Sequence, residues 1–148
     1  TTVDRNCFPF YPDGRPCQSV NGVLQRYNEL TPHVVLAGPT NFAPVIREAI
    51  RIVKQTRQYH ILCIIADGQV TARRETERAI EEASHVPLSI IVVGVGDGPW
   101  GTMEAMDDGL SSRLFDNFQF VQYHKVVADN PPSRVDTAFA LAALMEIP

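Results

Sequence analysis

Apolar residues recur along this chain with two different rhythms. Between residues 42 and 53 they fall at Phe42, Val45, Ile46, Ala49, Ile50 and Val53, the spacing that lays one continuous stripe along a helix. Pro44 is compatible with it, because N–H groups in a helix's first turn have no intrahelical acceptor. Residues 19–30 carry Val20, Val23, Leu24 and Tyr27 at the same spacing, and Pro32 ends the segment. Residues 59–66 and 88–95 are instead apolar without alternation. A strand covered by helices on both faces has no polar side, so both runs are expected to be fully buried strands. Residues 33–37 form a shorter apolar run, expected to be strand or extended. Residues 118–123 alternate more and are expected nearer a sheet edge.

The remaining segments fill in around these. Residues 71–84 read as a charged helix with Ala79, Ile80 and Ala83 facing inward. Residues 101–117 read as a short helix, broken by Asp107-Asp108-Gly109, and an irregular loop. Pro131-Pro132 breaks the chain, and Ser133 with Asp136 has capping-box spacing ahead of a final helix that buries Val135, Ala138, Phe139, Ala142 and Met145. Residues 1–18, with Pro9, Pro12, Gly14 and Pro16, read as a looped lead-in. Strand and helix alternate, which predicts an α/β fold of three layers: a mainly parallel sheet with helices on both faces. In such sheets ligands bind outside the carboxyl ends of the strands. Residues 38–41, 67–69 and 94–101 occupy those ends.

Length and charge narrow the possibilities. A chain of 148 residues is one domain's worth. A net charge of −4 argues against a nucleic-acid partner, which calls for a basic surface. No apolar run approaches the roughly 18 residues of a membrane span, so membrane insertion is not expected. Thr1-Thr2-Val3-Asp4-Arg5 does not resemble a signal peptide, and without an initiator Met the chain reads as a piece of a longer one. Cys7 and Cys17 are a conceivable pair, but three cysteines make no disulfide framework. Free thiols in a reducing cytosol are the favoured reading, with Cys63 acting as a small hydrophobe in its strand.

Candidate chemistry is sparse. Gly96-Asp97-Gly98-Pro99-Trp100-Gly101 matches the glycine pattern of a dinucleotide-binding turn. However, Pro99 removes an N–H that would face a phosphate, Trp100 crowds the approach, and a plain tight turn explains the glycines. No serine sits in a nucleophile elbow, and His33, His60, His85 and His124 lie at no zinc-ligand spacing. Glu75, Glu77, Glu81 and Glu82, interleaved with Arg73, Arg74 and Arg78, make a solvated helix face. Asp107-Asp108 reads as a solvated loop. Thr40, before a helix, and Asp67, ending a strand, are oxygen donors at the same kind of sheet edge. A hard cation such as Mg²⁺ takes such ligands and keeps several waters; helix N-cap and turn are the plainer roles for these two residues.

At those residues the sequence resembles a known family. Residues 36–44 (Leu-Ala-Gly-Pro-Thr-Asn-Phe-Ala-Pro), 59–71, 87–100, 115–121 and 140–148 resemble copines and the plant RING-finger ubiquitin ligases that share their domain. The Asp-Gly-Pro-Trp, Phe-Asp-Asn-Phe and Met-Glu-Ile-Pro details look closer to the ligase branch. The resemblance covers essentially the whole chain. It implies a von Willebrand factor A, Rossmann-like fold with a metal-ion-dependent adhesion site. There Thr40 and Asp67 would join an Asp-x-Ser/Thr-x-Ser motif around Mg²⁺ (Mn²⁺ or Ca²⁺ as alternatives), and Gly68 would let the turn bend. The open metal position would receive an acidic group from a protein partner. That third motif is absent from these 148 residues; the expectation is that it precedes Thr1, with the fold's N-terminal β-α-β portion. The loop after Thr71 is shorter than the ligase branch implies.

No RING-type Cys/His array or tandem C2 domain is present, so ubiquitin transfer and calcium-dependent phospholipid binding are expected of other parts of a larger protein. The resulting reading is a single, N-terminally incomplete domain that binds partners rather than turning over substrate. It is expected in the cytoplasm, at a membrane periphery or in the nucleus. A substrate-recruiting domain of a RING-type E3 ubiquitin ligase is the alternative, and a nucleotide-binding enzyme using residues 96–101 a remote one.

Overall fold

The structure, a computed structural model, describes residues 7–35 and 38–148. They fall into two compact units, Thr1–Pro39 and Thr40–Pro148, which are taken separately.

The first unit is one helix and its lead-in. Helix α1 spans Val20–Leu30 and starts where expected: Ser19 Oγ accepts from the Gly22 N–H at 3.2 Å. A 3₁₀ turn, Thr31–His33, follows with Pro32 inside it. The Arg26 guanidinium donates to the Phe10 carbonyl at 2.7 Å, and Arg15 and Arg26 both lie over the Tyr11 ring, 4.3 and 4.8 Å from its centroid. The predicted stripe of Val20, Val23, Leu24 and Tyr27 is present but exposed. Val34 is extended rather than in a strand, and Leu36 and Ala37, the end of that predicted apolar run, lie outside the described residues.

The second unit is the predicted α/β layered arrangement. Helix α2 (Ala43–Thr56) leads into β1 (His60–Ala66), α3 (Arg73–Ala83), β2 (Leu88–Gly94), α4 (Gly101–Gly109), β3 (Phe118–Gln122), α5 (Tyr123–Asp129) and α6 (Val135–Ala143). The three strands are all parallel in the order β1-β2-β3, with Cys63 beside Ile91 and Val92 beside Phe120. On one face, Leu62, Ile64 and Ala66 of β1, Ile90 and Val92 of β2, and Phe118 and Phe120 of β3 meet Ile46, Ile50 and Val53 of α2, Ala79, Ile80 and Ala83 of α3, and Met103 and Met106 of α4. The apolar stripes of α2 and α3 supply this cover, as their periodicity predicted. On the other face, Ile91, Val93 and Val121 pack with Val126, Phe139 and Ala142 from α5 and α6. Across the outer surface of α2 and α3, Arg47 holds Glu75 at 3.0 Å and Glu82 at 3.1 Å. The Glu82 hydrogen bond, with Glu75 behind it, raises the Arg47 pKa above its usual value.

Several expectations need correction. Among the described residues β1 is an edge strand; its burial alternates, and Ile61, Cys63 and Ile65 are exposed. Its run was expected to be covered on both faces, but the cover on the α5/α6 side stops at β2. β3 lies at an edge among the described residues, as its alternation predicted, yet it is almost wholly buried, because α4 covers one face and α5 and α6 the other. Helix α4 is not broken at Asp107-Asp108-Gly109 but runs through them. α5 was not anticipated; seven residues are too short to show a periodic stripe. The Ser133–Asp136 capping box does not form, since a 3₁₀ turn, Pro132–Arg134, precedes α6. Of the final helix's predicted core, Val135, Ala138, Phe139 and Ala142 are half-buried and Met145 is exposed beyond the helix.

Candidate functional site

The carboxyl ends of β1 and β2 bring two loops and one incoming segment together. β1 ends at Ala66, whose carbonyl accepts from the Val95 N–H at 2.8 Å, so the chain leaves both strands at the same level. Asp67 follows and is exposed. The opposite turn approaches closely: a Cβ on Gly96 would lie 3.5 Å from the Asp67 carbonyl, and Gly96 has a φ of +94° that L side chains rarely adopt. His124 at the start of α5 hydrogen-bonds the Gly96 carbonyl through Nδ1 at 3.0 Å. Gln69, in the loop after Asp67, accepts from Thr102 Oγ1 at 3.0 Å.

Thr40 is fixed to that same loop through its backbone. Its N–H donates to Thr71 Oγ1 at 2.9 Å, and its carbonyl accepts from the N–H groups of Thr71 and Ala72 at 3.0 and 3.2 Å. The two residues singled out from the sequence, Thr40 and Asp67, therefore sit on segments tied together within five residues of Asp67. Thr71 supplies the side-chain part of that tie, and nothing in the sequence marks it for the role. Thr40 does not cap the helix. Asn41 does the equivalent work: its Oδ1 accepts from Ala43 N–H at 2.9 Å, and its Nδ2 donates to Glu75 at 2.9 Å. The Thr76 hydroxyl, buried on α3, receives the Phe42 N–H at 3.4 Å.

The Thr40 hydroxyl and the Asp67 carboxylate make no hydrogen bond or ion pair with the described residues. Both are exposed. Both are hard oxygen donors, of the type a Mg²⁺ ion takes alongside water, on segments tied together through Thr71. Among the described residues no group of three His, Cys, Asp or Glu side chains converges, so no all-protein cage of those types forms here.

The glycine-rich turn after β2 has a different character. Gly98 also has a positive φ, +84°, and a Cβ there would meet the Trp100 indole at 2.9 Å. Trp100 in turn packs on Phe120, ring centroids 5.5 Å apart. The indole lies against the backbone that would face a phosphate in a dinucleotide site, as the sequence suggested. Positive φ and close packing account for both glycines.

The α/β layering agrees with the comparison to known proteins, in which the profile described as Copine matches residues 1–148. The chain belongs to the copine family. Its relatives include the Arabidopsis thaliana protein named E3 ubiquitin-protein ligase RGLG3, 49% identical over the whole of this chain and 44% of the relative, and RGLG1 of the same plant, 50% identical over the whole chain and 33% of the relative. Copine family protein 2 of Caenorhabditis elegans is 54% identical over 90% of this chain and 2% of the relative. The copine domain thus occurs both in proteins named ubiquitin ligases and in proteins named copines. This copine chain spans less than half the length of each of these relatives. No helix among its described residues is long and apolar enough to cross a membrane.

Proposed function

We propose that this copine domain is a partner-binding module that holds Mg²⁺, or Mn²⁺ in its place, at the carboxyl edge of its sheet. Thr40 Oγ1 and the Asp67 carboxylate are its ligands from this chain, Asp67 acting mostly through metal-bound water. The bound cation supplies one exchangeable position with an affinity for carboxylate, and an acidic side chain of a protein partner fills it. The observation that carries this reading is the exposed Asp67 carboxylate at the end of β1, without a hydrogen-bond or ion-pair partner among the described residues, in a loop to which Thr40 is clamped through Thr71. It is binding, not turnover: among the described residues no nucleophile, base and oxyanion donor come together at this edge.

Paramagnetic line broadening by Mn²⁺ tests the location. Amide signals of Thr40, Asp67, Gly68 and Thr71 should broaden first, and added Mg²⁺ should restore them. Broadening centred on the Glu81–Glu82 face of α3, or none at these four residues, overturns the site.

A second reading is favoured by the near-half identity across the whole chain to proteins named E3 ubiquitin-protein ligases. In it the domain recruits substrate within a longer ligase. A full-length protein that transfers ubiquitin to a bound partner, and loses that transfer but not self-ubiquitylation when this domain is deleted, is the expected result. Unchanged partner modification after the deletion contradicts it.

A further inference from the structure

The outer edge of β3 is a strand edge with walls. The Ile90 N–H donates to the Asn117 carbonyl at 2.7 Å, and Ile90 pairs with Phe118. Backbone groups alternate in direction along a parallel ladder. Asn117, Gln119 and Val121 therefore turn theirs toward β2, Phe118 and Phe120 turn theirs outward, and of Gln122 the N–H is left for the edge, since its carbonyl opens α5. Among the described residues no strand pairs with β3 on that side. One outward group is met only by a side chain: the buried Gln119 reaches the Phe120 carbonyl with Nε2 at 3.4 Å, a long contact.

A cavity of about 370 Å³ follows this edge. Phe120, Val121 and Gln122 all line it. Consecutive strand residues point to opposite faces, so a cavity touching all three runs along the backbone rather than over one face. α4 walls it from the side of the larger core with Glu104 and Asp107. α5 and α6 wall it from the other side, with Lys125, Asp129 and the small Ala138 and Ala142. Three carboxylates thus face one ammonium. Glu104 is already oriented by Gln122 Nε2, which donates to it at 2.7 Å.

We propose that this groove takes an extended basic peptide from a protein partner as a fourth strand on β3. Its backbone bonds the outward groups of Phe120 and the N–H of Gln122, small apolar side chains fill the alanine-lined wall, and a Lys or Arg on the opposite face of the peptide lies toward Glu104, with Asp129 adding to the negative field. Adding a strand to an open sheet edge is an established mode of peptide recognition, and the acidic rim sets the sign of the ligand. A second copy of the chain is the wrong occupant. Pairing the same edges about a two-fold axis sets Glu104, Asp107 and Asp129 against their own copies. The proposal uses neither Thr40 nor Asp67 and stands apart from the metal site.

The test is fluorescence anisotropy with three labelled, end-blocked peptides: alternating Val-Lys-Val-Lys-Val, its Glu counterpart, and the Lys peptide N-methylated at alternate amides. The basic peptide should bind, weaken as salt is added, and shift the amide signals of Phe120 and Gln122. Glu104→Gln should lower its affinity about two- to fivefold, the range for exposed ion pairs, Asp129→Asn should lower it less, and Lys125→Glu should raise it. Equal binding of the acidic or the N-methylated peptide, shifts confined to residues 61–65, self-association through β3, or no binding by the basic peptide overturns the proposal.

Discussion

The two faces of the sheet are built to different extents. On the α2/α3/α4 face, helices cover all three strands, and the largest fully buried side chain, Phe118, lies there with Ile46, Ile80, Met103 and Met106. On the α5/α6 face the cover reaches β2 and β3 only. Ile91 and Val93 are buried, while Cys63 and Ile65, their neighbours in register on β1, are not, and Ile65 is 72% exposed. Adjacent side chains of the same chemical type therefore differ in burial solely because one has a helix above it. Hydrophobicity in a strand records what its surface suits; whether that surface is covered depends on another element. The exposed side of β1 also lacks the charges, prolines or bulges with which sheet edges usually avoid pairing, whereas β3's edge is ringed by carboxylates.

Truncating each face should give the largest contrast. Phe118→Ala removes a wholly buried ring and should lower unfolding free energy by about 3–5 kcal/mol, read by urea denaturation. Ile65→Ala should change it by less than about 0.5 kcal/mol. Comparable losses at both positions would show that the β1 face is covered in solution. Cys63 gives a subtler probe. Its side chain is reachable, yet the strand around it desolvates the thiol and raises its pKa above the usual value. A maleimide should label Cys63 in the native protein without denaturant, with a rate still climbing at pH values where an ordinary thiol has levelled off. Protection until unfolding would contradict the open face.

The smallest effect belongs to the solvated side of α2. The hydrogen bond from Arg51 lowers the Glu48 pKa, so this pair's stabilisation is present above the unfolded carboxyl's pKa and lost as pH falls through the lowered folded value. Both side chains are about half exposed. Glu48→Gln should therefore cost only about 0.3–0.5 kcal/mol at neutral pH and nothing in acid well below the folded value. A cost that persists in acid would assign the effect to packing instead.

Much of this was legible in the sequence. The stripe from Phe42 to Val53 and the inward Ala79, Ile80 and Ala83 located α2 and α3, and unbroken apolar runs located β1 and β2. The all-buried β2 matches the composition argument. β1 does not, because pattern reports suitability for burial and not the presence of a cover. Seven-residue α5 left no periodic trace. Pro132 formed a 3₁₀ turn where the Ser133–Asp136 spacing alone suggested a cap. At the candidate site, strand ends pointed to Thr40 and Asp67, and Asn41 is an N-cap residue type at the end of its turn, but the clamp by Thr71 depends on a contact across about thirty residues of chain, which local pattern does not encode.

The central claim is that Thr40 and Asp67 hold a divalent cation, and calorimetric titration of Mg²⁺ and Mn²⁺ into this protein, with Asp67→Ala alongside, tests it most directly. The account predicts saturable binding by the wild-type chain that Asp67→Ala abolishes while leaving the folded state intact by circular dichroism. Absence of binding by the folded wild-type protein, or equal binding by the variant, would contradict it.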